Sequence, residues 1–163
     1  MIYRNTGLVL VLLLVLFFVT PAATEKTVPI SVTSITVSGE NGATSVSNGG
    51  TLKMSASVLP ADATDKTITW SVIPLTGTAK IGKKGLLTGT GVGTVSVVAT
   101  ANDHSGITGT EEITVSPILV TSITVSGAGD ATTVANGGTL QMNADVLPTD
   151  ATDKTVTWSV TAR

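Results

Sequence analysis

The octapeptide VTSITVSG stands at Val32–Gly39 and again at Val120–Gly127, 88 residues further on. The match continues without a gap, so that Val32–Val72 aligns with Val120–Val160 and 31 of the 41 positions are identical. A chain with such self-similarity folds as a series of like units. The second copy reaches Arg163, just past its TWSV, and carries no counterpart of Ile73 through Pro117. The expectation is one full unit followed by half a unit.

The ten differences between the copies identify the local structure. In Leu52–Val58 the residues Leu52, Met54, Ala56 and Val58 alternate with Lys53, Ser55 and Ser57, the period of a strand with one buried face. The second copy repeats the apolar set as Leu140, Met142, Ala144 and Val146, while the outward positions become Gln141, Asn143 and Asp145. Ile68 becomes Val156, a loss of one methylene. Composition agrees: Thr (30 of 163) and Val (21) are over-used and favour strands, whereas charged residues make up only 12%.

The pattern predicts seven strands in the full unit: 34–38, 51–59, 67–72, 79–81, 86–88, 94–101 and 111–116. Turn signals at Asn48-Gly49-Gly50, Pro60-Ala61-Asp62, Gly82–Gly85, Gly89–Gly93 and Asn102–Gly106 separate them. Short strands at this spacing indicate an all-β, antiparallel two-sheet sandwich. With no Cys, packing alone must hold it, and Trp70, in phase with Ile68 and Val72, is the expected core plug.

Residues 1–22 have the pattern of a secretory signal peptide: Arg4, then twelve unbroken apolar residues from Leu8 to Val19, then small residues up to Ala22. Twelve helical residues rise about 18 Å, against a hydrocarbon core of about 30 Å, so cleavage is expected rather than a stable membrane span. Cleavage after Ala22 fits best, with Ala23 and Thr24 as alternatives. The expected organisation is a signal peptide over 1–22, a linker over 23–31, a complete unit over 32–117 and the N-terminal half of a second unit over 118–163.

The opening VTSITVSG at Val32, NGGTL at Asn48, the VLPADATDKTITW run from Val58 to Trp70, GLLTGTGVGTVSVVATA from Gly85 to Ala101, and EEITVS ending at Ser116 together resemble the group 2 bacterial immunoglobulin-like domain of invasin- and intimin-type surface proteins. The resemblance implies an Ig-like sandwich of about 80 to 90 residues, usually in tandem, serving outside the cell as spacer or adhesive module. It brings no catalytic residues. Where antibody-type domains carry an inter-sheet disulfide, the corresponding central strands here hold Ala56 and Ala99.

Candidate sites each have a plainer structural explanation. Gly89-Thr90-Gly91-Val92-Gly93 lacks the spacing of a phosphate loop, and a strand follows where a helix is required. Asp62 and Asp65, with Asp150 and Asp153 in the second copy, flank turns in which Asp side chains accept backbone amides. A calcium site there, even with Asp103 near, reaches six to eight oxygens only with backbone and water ligands, and calorimetry at millimolar calcium is its test. His104, between Asp103 and Ser105, is a solvated loop residue, because consecutive residues do not converge into a triad. Glu111 and Glu112, adjacent on a strand, point to opposite faces. Lys80, Lys83 and Lys84 make a solubilising hairpin tip that could touch an acidic glycan. Thr67, Thr69 and Ser71 face outward without an aromatic platform, since Trp70 and Trp158 lie on the core side. No catalytic, cofactor-binding or metal-binding residues are expected, and no cofactor.

Nine Lys plus Arg against eleven Asp plus Glu leave no electrostatic footprint for nucleic acid. The half unit exposes seven inward side chains and unpaired strand edges, which favours protease sensitivity beyond about Val120 and self-association. The Pro117-Ile118-Leu119 linker is too short and apolar for a floppy tether. The function that follows is a non-enzymatic exported module for cell-surface adhesion, display or spacing, with a host or cell-surface protein or glycan as partner. The alternative is an accessory domain of a secreted carbohydrate-active enzyme whose catalytic part is absent.

Overall fold

The computed structural model describes residues 26–162, so the signal peptide expected over 1–22 and the start of the 23–31 linker lie outside the described residues. Among the described residues regular structure is all strand apart from two short 3-10 turns. The first unit contains β1 (Ser34–Gly39), β2 (Ser45–Ser47), β3 (Thr51–Leu59), β4 (Ile68–Pro74), β5 (Thr78–Ile81), β6 (Leu86–Gly91), β7 (Gly93–Ala101) and β8 (Thr108–Ser116). Two four-stranded sheets result, ordered β1-β3-β6-β5 and β2-β8-β7-β4. Every neighbouring pair is antiparallel except β2 with β8, which run parallel.

The short strand β2 is the one that alternation does not reveal. Ser45, Val46 and Ser47 offer one apolar side chain, too few to display a period. The chain leaves β1 through a 3-10 turn at Glu40–Gly42, where Asn41 (φ 55°) and Gly42 (φ 74°) adopt left-handed backbone. It then crosses to the other sheet, where Val46 pairs with Val115. The opening segment is thereby shared between both sheets and closes one side of the sandwich.

Inward side chains from both layers make the core. Ile35, Val37, Leu52, Met54 and Leu87 come from one sheet, and Val46, Val95, Val97, Ala99, Ile113 and Val115 from the other. The most enclosed large side chains are Met54, Leu87, Ile113, Val95, Val97 and Val115, so the centre is filled by unbranched and branched aliphatics. Trp70 differs from expectation. It is only half-buried, and its ring lies against Gly85, where a Cβ would approach Trp70 Cε2 and Nε1 to 3.2 Å. The reason is topological: β4 and β5 are the edge strands of their respective sheets, and Trp70 covers the seam between them. Ala56 on β3 and Ala99 on β7 occupy interior strands of opposite sheets, as the resemblance implies.

The glycine-rich segment is strand rather than a loop. Gly89 pairs with Ala79 within β6, and the chain then passes from one sheet to the other between Gly91 and Gly93. A Cβ on Gly89 would lie 2.9 Å from Val115 Cγ1 and 3.1 Å from the Ser47 carbonyl oxygen, so the backbone itself occupies the space between layers.

The second unit forms a single two-stranded sheet, β9 (Ser122–Gly127) with β10 (Met142–Leu147). Its register copies the first: Ser122 faces Leu147 as Ser34 faces Leu59. Local hydrogen bonds are copied too. The Ala63 amide donates to the Pro60 carbonyl (3.1 Å) and the Ala151 amide to the Pro148 carbonyl (3.0 Å). What differs is non-local. Thr51–Lys53 in β3 pair with β6, and their counterparts 139–141 are not strand; β2 and β4 pair with β8 and β7, and their counterparts 133–135 and 156–162 are not strand either. Each missing strand corresponds to a missing ladder partner, because a strand without a neighbour leaves its backbone bonds to water.

Candidate functional site

Polar side chains gather at the end of the first unit where β1 begins. The β7–β8 loop, with His104 (φ 66°) and Gly106 (φ 75°) in left-handed backbone, brings Asn102, Asp103 and His104 beside Thr64, Asp65 and the incoming Pro29–Ser31. The Val32 amide donates to Asp103 Oδ2 at 2.6 Å and the Ser105 amide to Asp103 Oδ1 at 3.0 Å. These bonds, with the Ser105 hydroxyl foremost, hold the Asp103 carboxyl below the usual carboxylate range. Both oxygens of Asp103 are thus engaged in fastening the loop to the start of β1. Ser105 Oγ accepts the Ile107 amide (3.3 Å), so the trio 103–105 is a network of backbone braces.

Asp65 and Asp153 behave alike in the two copies. The Thr67 amide donates to Asp65 Oδ1 (2.8 Å) and the Thr155 amide to Asp153 Oδ1 (2.9 Å), and these bonds lower both carboxyls. The turn reading therefore holds for this pair. Asp62 and Asp150 take no such bond in the structure and are exposed. Asp65 and Asp103 lie near enough to repel each other, with His104 offsetting the repulsion, whereas Asp62 is not part of the group. Among the described residues no three His, Cys, Asp or Glu side chains form a group able to hold a metal ion.

The outward threonines are tied into the same end. Thr69 Oγ1 donates to Asn102 Oδ1 (2.8 Å), and Asn102 Nδ2 donates to Thr67 Oγ1 (3.0 Å). Lys80 lies on β5, and Lys83 and Lys84 form the tip of the β5–β6 hairpin, closed by the Gly85 amide on the Gly82 carbonyl (2.8 Å). Lys53 Nζ donates to the Lys84 carbonyl, which draws a fourth cation toward that tip. Glu111 is half-buried, in phase with Ile113, and Glu112 is exposed, so the two carboxylates do point to opposite faces.

The strongest unassigned feature is the open apolar face of the second unit. Ile123, Val125, Met142, Val156, Trp158 and Val160 line one shallow depression. Val125 is 53% exposed where Val37 is 4%, and Met142 is 38% exposed where Met54 is 2%. Trp158, at 51%, is on the core side by sequence phase and open to solvent, in line with the expectation that the half unit leaves its inward side chains uncovered. Phase alone tells which way a side chain points and not whether anything lies above it.

The two units meet over a single unfastened residue. The Asn48 amide donates to the Ser116 carbonyl (2.8 Å) within the first unit. In the second, the Ile118 amide donates to Thr152 Oγ1 (2.8 Å) and the Thr152 amide to the Ile118 carbonyl (2.9 Å). Pro117 alone lies between these clamps. The same Pro-Ile step opens the first unit, where Ile30 is held by Thr64 in the same way (2.8 and 2.9 Å).

Comparison with known proteins agrees with this architecture. The sequence is similar to an Ig-like virion protein of Serratia phage KSP90, 32% identical over 130 residues, covering 80% of this chain and 49% of that protein. It is similar to the tail tube protein pb6 of Escherichia phage T5, 41% identical over 87 residues, covering 52% and 18%. It is also similar to a 3-O-alpha-D-galactosyl-alpha-L-arabinofuranosidase of Bifidobacterium longum subsp. longum, 36% identical over 96 residues, covering 56% and 8%. The chain thus spans about half the length of the first of these relatives and smaller parts of the others. The sequence model of one family matches residues 31–111 and again 119–163, and the chain belongs to that family, the bacterial Ig-like domain (group 2).

Proposed function

We propose that the chain is a non-enzymatic, exported spacer and display module that holds a partner-binding part of a larger protein or assembly at a fixed distance from a surface. The observation that carries this reading is the joint: with Ser116 and Ile118 each fastened inside its own unit, only Pro117 is free to bend, and its ring fixes φ. A joint of this kind transmits direction from one unit to the next. Membership of a group 2 Ig-like family and likeness to a virion protein and a tail tube protein support a structural rather than a chemical role. Adhesion to a host or cell-surface protein or glycan is the finer form of the same proposal, with the exposed loops as contact surfaces.

The test is a distance measurement. The chain contains no Cys, so Lys80→Cys and Asp145→Cys give two unique spin-label sites, one in each unit. A narrow distance distribution supports a spacer; a broad distribution like that of a flexible tether overturns it. Labelling of intact cells or particles with an antibody to the first unit tests surface display, and labelling only after lysis counts against it. A second reading, an accessory domain of a carbohydrate-active enzyme, is favoured by the glycosidase relative, of which the match covers 8%. Retention of the chain on insoluble polysaccharide would favour that reading over spacing.

A further inference from the structure

We infer that the hollow between the edge strands β4 and β5 is a binding site for one carboxylate-bearing sugar ring, with Lys83 taking the carboxylate and Trp70 forming the wall on which the ring lies. The hollow measures about 320 Å³ and is lined by Ile68, Thr69 and Trp70 from β4, Ile81 from β5 and Lys83 from the hairpin that follows. That is the size of a small ligand site, with room for one ring. It sits on the flank of the first unit, between the pole where Val32 is held to Asp103 and the pole where Ser116 ends β8. None of its residues lines the cleft at the joint, so the second unit leaves it open.

Each wall has a chemistry that a sugar acid matches. Trp70 is in phase with the core, but its place on an edge strand leaves it half-buried, and part of the indole faces the hollow. This indole, beside Ile68 and Ile81, offers an apolar patch for the C–H face of a ring. The Trp70 Nε1–H makes no hydrogen bond within the described residues, and no unpartnered side-chain nitrogen is buried, so this donor is open to solvent. Thr69 Oγ1 already donates to Asn102 Oδ1, so toward a ligand it can only accept. A ring hydroxyl, which both donates and accepts, answers both groups.

Charge selects the acid. From Lys66 to Asn102 the chain has no Asp or Glu. The strand β3, whose Met54 amide donates to the Gly85 carbonyl (2.7 Å) at the base of the hairpin, has none either. Lys80 and Lys84 accompany Lys83, and Lys53 Nζ donates to the Lys84 carbonyl, so four cations share this region. The net charge of −2 conceals them, because the carboxylates of the unit stand on other elements. Crowded ammonium groups raise the positive potential over the hollow and draw an anion there. An acidic peptide satisfies the charge but not the wall, since its carboxylates sit on flexible stems and put no flat surface against the indole. The inference gives the glycan-binding form of the proposed function a definite place and rests on that reading; spacing itself does not depend on it.

The experiment titrates tetragalacturonate into the full chain at low salt, with calorimetry for affinity and Trp70 emission in a Trp158→Phe background for location. The expected result is saturable millimolar binding that shifts Trp70 emission and weakens as salt rises. Lys83→Glu should abolish it and Lys83→Gln should weaken it about tenfold. Lys66→Gln, the same charge change outside the hollow, should alter it less than about twofold. Neutral maltotetraose should give no saturable heat, and tetraglutamate should bind much more weakly than the sugar acid. Equal affinity for maltotetraose overturns the role of Lys83, and equal affinity for tetraglutamate overturns the sugar class. Heat without a change in Trp70 emission, or equal losses from Lys83→Gln and Lys66→Gln, overturns the location. Absence of binding by tetragalacturonate overturns the inference as a whole. None of these outcomes moves the distance between spin labels, which tests the spacer role separately.

Discussion

The two copies of the repeat provide an internal control for how much of the stability is non-local, and methionine is the residue to use. Met54 and Met142 share the inward Leu, Ala and Val of their segments, yet one is 2% exposed and the other 38%. Met54→Ala removes a fully enclosed side chain from between two layers, and such truncations cost about 2–5 kcal/mol through lost transfer energy plus the residual cavity. Met142→Ala removes a side chain with nothing above it, and the expected change is within about 0.5 kcal/mol. The assay is urea unfolding in a Trp158→Phe background, with Trp70 reporting the first unit. With a slope of about 1 kcal/mol per molar urea for a domain of this size, Met54→Ala should lower the midpoint by about 2 M or more. Met142→Ala should leave it in place. Equal shifts for the two substitutions, or a Met54→Ala cost below about 1 kcal/mol, would refute the claim that the layer from Ile73–Ser116 supplies the burial.

Three further outcomes follow from the geometry. Gly89→Ala should destabilise the first unit by about 1–3 kcal/mol, measured by thermal unfolding, because the new methyl meets Val115 Cγ1 at 2.9 Å and the Ser47 carbonyl at 3.1 Å. Asp103 has its carboxyl pKa lowered by the Ser105 hydroxyl and the Val32 amide, so its stabilising effect is present above the unfolded carboxylate value of about 3.9 and is lost as pH falls through the lower folded value. The stability difference between the native chain and Asp103→Asn should therefore shrink on acidification; a difference that grows in acid would contradict the bracing role. Limited proteolysis should cut within residues 128–141 and 153–162, where strands lack partners, well before β7 or β8, and mass spectrometry of early fragments would reveal the opposite order.

Much of this fold is visible in the sequence because the first unit is built from alternating strands with one buried face. Leu52 and Met54 on β3, and Val95 and Val97 on β7, announce their orientation by spacing alone. Three residues of β2 carry too little pattern to be read, since their placement is decided by β8 rather than by themselves. The Gly89–Gly93 segment reads as a turn because glycine is the usual mark of one, but here glycine is required by two layers passing at close range. Asp65 and Asp103 lie at different points in the chain, and their approach through the β7–β8 loop is a consequence of tertiary closure. Trp158 is legible only through the repeat, because the second copy has no counterpart of Ile73–Pro117 to cover it. Its phase is core-facing and its local sequence matches that of Trp70, but solvent exposure is a property of what stacks above a residue.

The opposite positions of Val32 and Ser116 on the first unit have a further consequence for a tandem chain. Since the backbone arrives at one pole and departs from the other, every additional copy lengthens the molecule instead of thickening it. Extent then becomes a matter of counting copies, and between Val32–Val72 and Val120–Val160 the inward side chains differ by a single methylene, Ile68 against Val156.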